Sequence, residues 1–226
     1  MSEAISNRIR DLLIVGAGGS GREVAWLARD IYGSNIELTF AVEPEFSVTD
    51  AIDDIPVISL DDRISRKFSH YVIAVGDGAQ RKRLSTLCNK LGMQPLTLVH
   101  PSVIRSSRVE IDDGSIVCAG SILTTNVKIG RHVHVNIACT LSHDVTVDDF
   151  STLSPSVHIS GNVRTGSGVF LGAGANVING KAGLPLVIGC DAVVAAGACV
   201  TRNVQPDTLV AGVPAVLKRS RSRDAV

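Results

Sequence analysis

Aromatic side chains are scarce in this chain of 226 residues: Phe, Trp and Tyr together make up 4% of it. A core of that length must be filled by small and β-branched residues used many times over, which points to repeated structure. Charge imbalance is missing too. The 22 Lys and Arg balance the 22 Asp and Glu, so no strong field draws the chain to nucleic acid or anionic lipid, and neither is expected as a partner. No apolar run approaches the ~20 residues of a membrane-spanning helix. Glu3 and Asp11 precede and open the first short apolar stretch, so neither a span nor a signal peptide is expected. Cys88, Cys118, Cys139, Cys190 and Cys199 form an odd set with no CxxC pair. That pattern argues against a disulfide framework and structural zinc, and fits reduced thiols in the cytoplasm.

What the chain does have is apolar patterning of two kinds. In residues 1–98, Leu12–Val15, Leu38–Val42, Tyr71–Val75 and Leu96–Val99 read as short buried strands. Between them Val24, Leu27, Ala28 and Ile31, and again Leu84, Leu87, Cys88 and Leu91, follow i, i+3, i+4, i+7 spacing and make two amphipathic helices. The alternation predicts a small doubly wound α/β domain, with an irregular segment before the third strand.

From Val99 the period becomes six. With one five-residue insertion after Val177, the register runs through 17 hexads to Val200, and 15 of them begin with Ile, Leu or Val, the exceptions being Arg105 and Thr165. Composition alone would give about five. The fifth position is small or β-branched in 16 of the 17, failing only at Lys181 within the insertion. No helix has this period. It fits the flat sides of a triangular solenoid with the aliphatic residue inward and the small residue at the corner, three hexads to a coil. Residues 99–217 are therefore expected to form a parallel β-helix, with Gly180–Pro185 as an external loop and residues 218–226, carrying Lys218, Arg219, Arg221 and Arg223, as a basic tail.

Chemistry-bearing residues fall in both halves. Gly16-Ala17-Gly18-Gly19-Ser20-Gly21 spells GxGxxG between a strand and a helix, where glycines and the helix N-terminus can approach phosphate. A ligand-free tight turn would use the same residues. Too little chain remains for a complete dinucleotide oxidoreductase, so a nucleotide-linked substrate suits the turn better. Glu43 ends the second strand, where a carboxylate can accept from a ribose or base. Gly76-Asp77-Gly78 follows another strand, and Arg81 opens the next helix as either a phosphate partner or an ordinary solvated arginine. In the hexads, His132, His134, His143 and His158 occupy the fourth, sixth, third and sixth positions, so all four are expected outside the stack. His143 follows Ser142 and precedes Asp144; an outward imidazole beside a carboxylate suits a general base. His132 and His134 raise the alternative of metal ligation, and no metal is expected.

Gly16-Ala-Gly-Gly-Ser-Gly21, Ile73-Ala-Val-Gly-Asp77 with Arg81, His100-Pro101, Ser142-His-Asp144, Asp149-Phe150, Ser160-Gly-Asn162 and Ala211-Gly-Val-Pro-Ala215 together carry a resemblance. Over almost its whole length the chain resembles the hexapeptide-repeat acyltransferases with an N-terminal Rossmann-like domain, which include sialic acid O-acetyltransferases and nucleotide-amino-sugar N-acetyltransferases of bacterial glycan pathways. The resemblance implies a left-handed β-helix, a cytoplasmic homotrimer and acetyl-CoA as donor, with transfer to a nucleotide-linked amino sugar, a 4-amino-4,6-dideoxy sugar being preferred. It assigns His143 as catalytic base and Asp144 as its support. Gly161, Gly172, Ala173, Ala211, Gly212, Val213 and Pro214 would contact CoA, and Gly16, Ala17, Gly18, Gly19, Glu43 and Gly76 the nucleotide sugar. Ser20 and Thr152 stand where many members have histidine, at the sugar and CoA contacts respectively. Other readings are sugar or sialic acid O-acetylation, a zinc hydratase of the carbonic anhydrase type using His132, His134 and His143, and a non-catalytic nucleotide-sugar-binding protein.

Overall fold

The apolar run Asp11–Val15 forms strand β1, an interior strand of the first of two units, Met1–Pro101 and Ser102–Val226. This computed structural model describes residues 9–46, 49–61 and 67–220. After β1 the chain forms α1 (Gly19–Tyr32) and then β2 (Glu37–Val42), a short hairpin of β3 (Ala51–Ile52) and β4 (Ile55–Ser59), β5 (His70–Ile73), α2 (Gly78–Lys90) and β6 (Gln94–Pro95). The sheet order is β3-β4-β2-β1-β5-β6, parallel throughout except at the β3–β4 hairpin. Both helices bury the faces their spacing predicts, Val24, Leu27 and Ala28 on one and Leu84 and Cys88 on the other. Connections leave β1 toward β2 on one side and β5 on the other, so the C-terminal ends of these strands border a topological switch point.

Two sequence expectations need correction here. The irregular segment contains the β3–β4 hairpin, turned by Asp53 and Asp54 at φ +48° and +62°. Two consecutive left-handed residues are what a tight hairpin demands, and two aspartates with Pro56 disguise the strand pattern. The fourth strand does not begin at Leu96: the sheet edge is β6, while Leu98–Val99 forms a separate strand.

In the second unit successive coils contribute short strands to three ladders, parallel from coil to coil. Val117, Val135, Leu153, Leu171, Val194 and Val210 stack in one, Leu123, Leu141, Ile159, Val177 and Val200 in the next, and Ile129, Val147, Thr165 and Ile188 in the third. The unit is a left-handed parallel β-helix whose identical register positions meet one coil apart, about 4.8 Å. Corner serines are satisfied by the next coil. Ser115 Oγ donates to Gly130 O at 2.6 Å and accepts from Val133 N at 2.9 Å, and Ser121 and Ser151 repeat the arrangement. A serine thus fits a buried corner because it has both a donor target and an acceptor partner there. Thr165, one of the two register exceptions, is buried, while Arg105 is exposed.

The external loop expected at Gly180–Pro185 carries the insertion. Lys181 and Leu184 pair across its tight turn, and Leu186 takes the next corner position, pairing with Val163. The basic segment, in contrast, is not a free tail. Lys218 and Arg219 lie in the strand Val216–Ser220, antiparallel to Thr208–Ala211, and Arg221 and Arg223 lie outside the described residues.

Close helix–strand packing makes Gly21 indispensable to the first unit. A β-carbon there would collide with the carbonyl oxygen of Gly16 and meet the Phe40 ring at 3.3 Å, and neither obstacle is the end of a flexible chain. Gly21→Ala is expected to cost about 1–3 kcal/mol, read as an earlier unfolding transition in denaturant.

Candidate active site

The glycine turn and the switch point meet in a cavity of about 350 Å³ lined from β1, β2, the β2 exit, β3, and the loop and helix after β5. Gly16, Ala17 and Gly18 form one wall; Glu43, Phe46 and Ile52 form the side nearest the hairpin. Gly18 and Gly19 face open space, and no side chain caps the α1 N-terminus, leaving that end of the helix free for an anion. Gly16 has φ +107° and brings its backbone against Ala74 O, so it serves the turn itself. Gly76 is exposed and Ser20 half-buried.

Arg81 is neither a solvated arginine nor a phosphate partner. Its side chain is fully buried, and Nη1 donates to Val75 O at 2.8 Å and Gly76 O at 2.9 Å. Burial pulls its pKa down to about 10. Asp77 caps α2, accepting from Gln80 N at 2.8 Å. The Gly76-Asp77 motif with Arg81 therefore braces the loop after β5. The arginine that reaches the cavity rim is Arg83, whose Nη1 and Nη2 donate to the two Glu43 oxygens at 2.6 and 2.5 Å. Arg83 holds the Glu43 carboxyl below its usual range. No sequence periodicity connects positions 43 and 83.

In the second unit, Thr140–Leu141 delivers His143 to a corner. Its Nδ1 lies 2.8 Å from Asp144 Oδ2, and Asn126 Nδ2 donates to Asp144 Oδ1 at 3.0 Å. Asp144 sits in the left-handed region at φ +60°, one coil above Asn126 at +54° and one below Asn162 at +56°. The conformation at the fourth hexad position is therefore what turns these side chains toward one another. Hydrogen bonds from His143 and Asn126 keep the Asp144 carboxyl below its ordinary range. Since an ionised carboxylate only accepts, the shared proton sits on His143 Nδ1, and Nε2 carries the lone pair. The histidine and aspartate side chains are 61% and 53% exposed, leaving this nitrogen accessible. Gly161 packs against the ring so closely that a β-carbon would collide with Nε2. Asn126 was missed in the sequence, although it stands one coil before Asp144 in the same hexad position.

Two histidines expected outside the stack are buried: His132 and His134 are each 5% exposed. Outward direction does not ensure exposure, because neighbours one coil away cover the ring. His132 stacks on Phe150 at 5.4 Å and 9° and lies against Gly114, and His134 pairs in register with Ile116 and Thr152. His132 and His143 occupy different corners, so the three histidines offered for zinc do not share one. Among the described residues no group of three or more His, Cys, Asp or Glu side chains is placed to hold a metal.

The remaining residues assigned by resemblance divide. Gly172, Ala173 and Ala211 stack on one corner with Ala195 and Ala196 between them, and the exposed turn Gly212–Pro214 continues it. Gly172 also has a packing reason, since a β-carbon would strike the backbone of Ala196. Thr152 is 5% exposed, leaving little surface for a ligand. Gly161 belongs to the His143 corner, not to the small-residue corner.

The family described as the PglD N-terminal domain matches residues 11–87. A GDP-perosamine N-acetyltransferase from Escherichia coli O157:H7 is 29% identical over 182 residues, covering 78% of this chain and 81% of its own length. Among solved structures, WeeI from Acinetobacter baumannii AYE has a TM-score of 0.86 at 32% identity, over 92% of this chain and 99% of that one. PerB from Caulobacter crescentus, in complex with CoA and GDP-perosamine, has a TM-score of 0.81 at 27% identity, over 92% and 97% of the two chains. Matched nearly from end to end by a protein sharing about a third of its residues, and built from the same two units, the chain belongs to the hexapeptide-repeat acyltransferases with an N-terminal Rossmann-like domain.

Proposed function

We propose that the protein is an acetyl-CoA-dependent N-acetyltransferase acting on a nucleotide-linked amino sugar, with His143 as general base. The observation that carries this reading is the His143 ring, fixed through Nδ1 by Asp144 with Nε2 accessible beside Gly161. Acetyl-CoA supplies the activated acyl group. As the neutral amine forms its new C–N bond, the C–S bond breaks with its electron pair leaving on the CoA sulfur, and His143 Nε2 accepts the proton that the nitrogen loses and returns it to the departing thiolate. Asp144 stabilises the imidazolium that results. The cavity beside the glycine turn supports nucleotide binding, with the uncapped α1 N-terminus available to the diphosphate. The relatives named for GDP-perosamine and CoA support the same assignment of substrate class and donor. The fit of CoA itself rests on the strip at Gly172, Ala173 and the Ala211–Pro214 turn. We further place the enzyme in the cytoplasm as a homotrimer serving bacterial polysaccharide biosynthesis; no helix among the described residues is long and apolar enough to cross a membrane.

The test is release of free CoA thiol from acetyl-CoA with GDP-, UDP- and dTDP-linked 4-amino-4,6-dideoxy sugars, alongside free sialic acid. Turnover of a nucleotide amino sugar is expected, with the acetyl group on nitrogen. Thiol release with sialic acid alone would replace this reading by O-acetylation.

A further inference from the structure

We propose that Glu43 reads guanine, through a two-point contact that Arg83 occupies in the absence of ligand. The inference rests on the nucleotide-sugar reading above and specifies its nucleotide. Arg83 presents two parallel N–H donors to both carboxylate oxygens of Glu43, at 2.6 and 2.5 Å, from a side chain that is 57% exposed, while Glu43 is only 16% exposed. The carboxylate is thus held at the cavity wall by a partner that is free to swing into solvent. Any ligand that takes Glu43 must offer the same paired donors. Guanine does so with N1–H and its exocyclic amino group. Uracil and thymine present one N–H between two carbonyl oxygens, so a carboxylate set against that edge meets a repelling acceptor. Adenine presents its amino group beside an acceptor nitrogen.

The placement of Glu43 favours a base over the phosphates. The glycine turn follows β1, whereas Glu43 follows β2, and the β3–β4 hairpin lies farther out on the side away from β1. Phe46, 63% exposed, and Ile52 line the cavity on that outer side, together with Val42. Phosphates need the backbone N–H groups of the turn, and a planar ring needs the apolar wall beside the carboxylate. A ribose also carries two hydroxyl donors, which GDP and UDP share and of which dTDP lacks the 2′-hydroxyl. Selectivity of GDP over UDP therefore separates the two contacts.

Binding of GDP, UDP and dTDP to the full-length protein is measured by titration calorimetry for wild type, Glu43→Gln and Arg83→Met. Wild type is expected to bind GDP about 10- to 100-fold more tightly than UDP or dTDP, the range set by two charge-assisted hydrogen bonds against a mismatched edge. Glu43→Gln replaces one acceptor by an amide donor, which suits the N–H and carbonyl of uracil, so it should weaken GDP and strengthen UDP. Arg83→Met removes the competing fork and should tighten GDP several-fold. Equal affinity for all three nucleotides in wild type, uniform weakening of all three by Glu43→Gln, or weaker GDP binding by Arg83→Met would each overturn the proposal. These readouts involve no acetyl transfer. Guanine selectivity with no turnover would sink the transferase reading alone, and turnover without selectivity would sink this one alone.

Discussion

His143→Ala is expected to lower acetyl transfer by about 100- to 10,000-fold, roughly 2.7 to 5.4 kcal/mol of barrier, while the protein remains folded. The expected loss is that of the general base proposed to take the proton from the attacking amine. Folding survives because the side chain is 61% exposed and its place in the stack is held by backbone, Asn162 N donating to His143 O at 2.9 Å. Steady-state kinetics with a nucleotide amino sugar and circular dichroism on the same preparation test both halves of the expectation. His158→Ala is the matched control. That ring is exposed on the same ladder and bonded to Thr140 Oγ1 at 2.8 Å, and its removal should leave kcat within about twofold. A folded His143→Ala protein with wild-type turnover would remove this histidine from the mechanism. Hydrogen bonds from His143 and Asn126 lower the Asp144 pKa, so the carboxylate keeps its charge until pH falls below the ordinary range of an aspartate.

Gly161→Ala should cost about 100-fold in kcat with hardly any change in stability, a combination that separates positioning from folding. The new β-carbon occupies space now filled by Nε2 of His143, and the nearest atoms belong to the imidazole rather than to backbone. The ring can yield by swinging toward solvent, which spares the fold but breaks the bond from Nδ1 to Asp144. Gly161 is not among the residues with positive φ, so alanine meets no backbone strain there. A crystal structure of the variant should show the imidazole rotated away from Asp144. Full activity, or a collapse in stability matching the loss of activity, would contradict this account.

Much of the architecture was readable because its rules are local and repeated. A hexad directs one residue inward and one to a corner irrespective of its neighbours, so the register of Leu123, Leu141, Ile159 and Val177 could be counted from the sequence. The β3–β4 hairpin escaped notice because its strands are short and its turn uses two aspartates where glycine or asparagine would have signalled it. At the site, the nearness of His143 to Asp144 was visible as adjacency, but Asn126 required reading the stack across one coil. Arg81 and Arg83 show the opposite case. They stand two residues apart on one helix, so sequence context alone did not show which one would be buried under a loop and which would reach Glu43.

By itself, then, the sequence determined the two-unit plan, the period of six, the glycine turn and the His143–Asp144 pair, all consequences of spacing within a few residues or of a fixed repeat. Only the tertiary structure decided which outward side chains reach solvent. His132 and His134 disappear beneath residues one coil away while His143 stays accessible, and Glu43 acquires its arginine from 40 positions further along. The physical reason is that local backbone geometry sets the direction of a side chain, whereas its burial and its partners are set by whatever the fold packs against it.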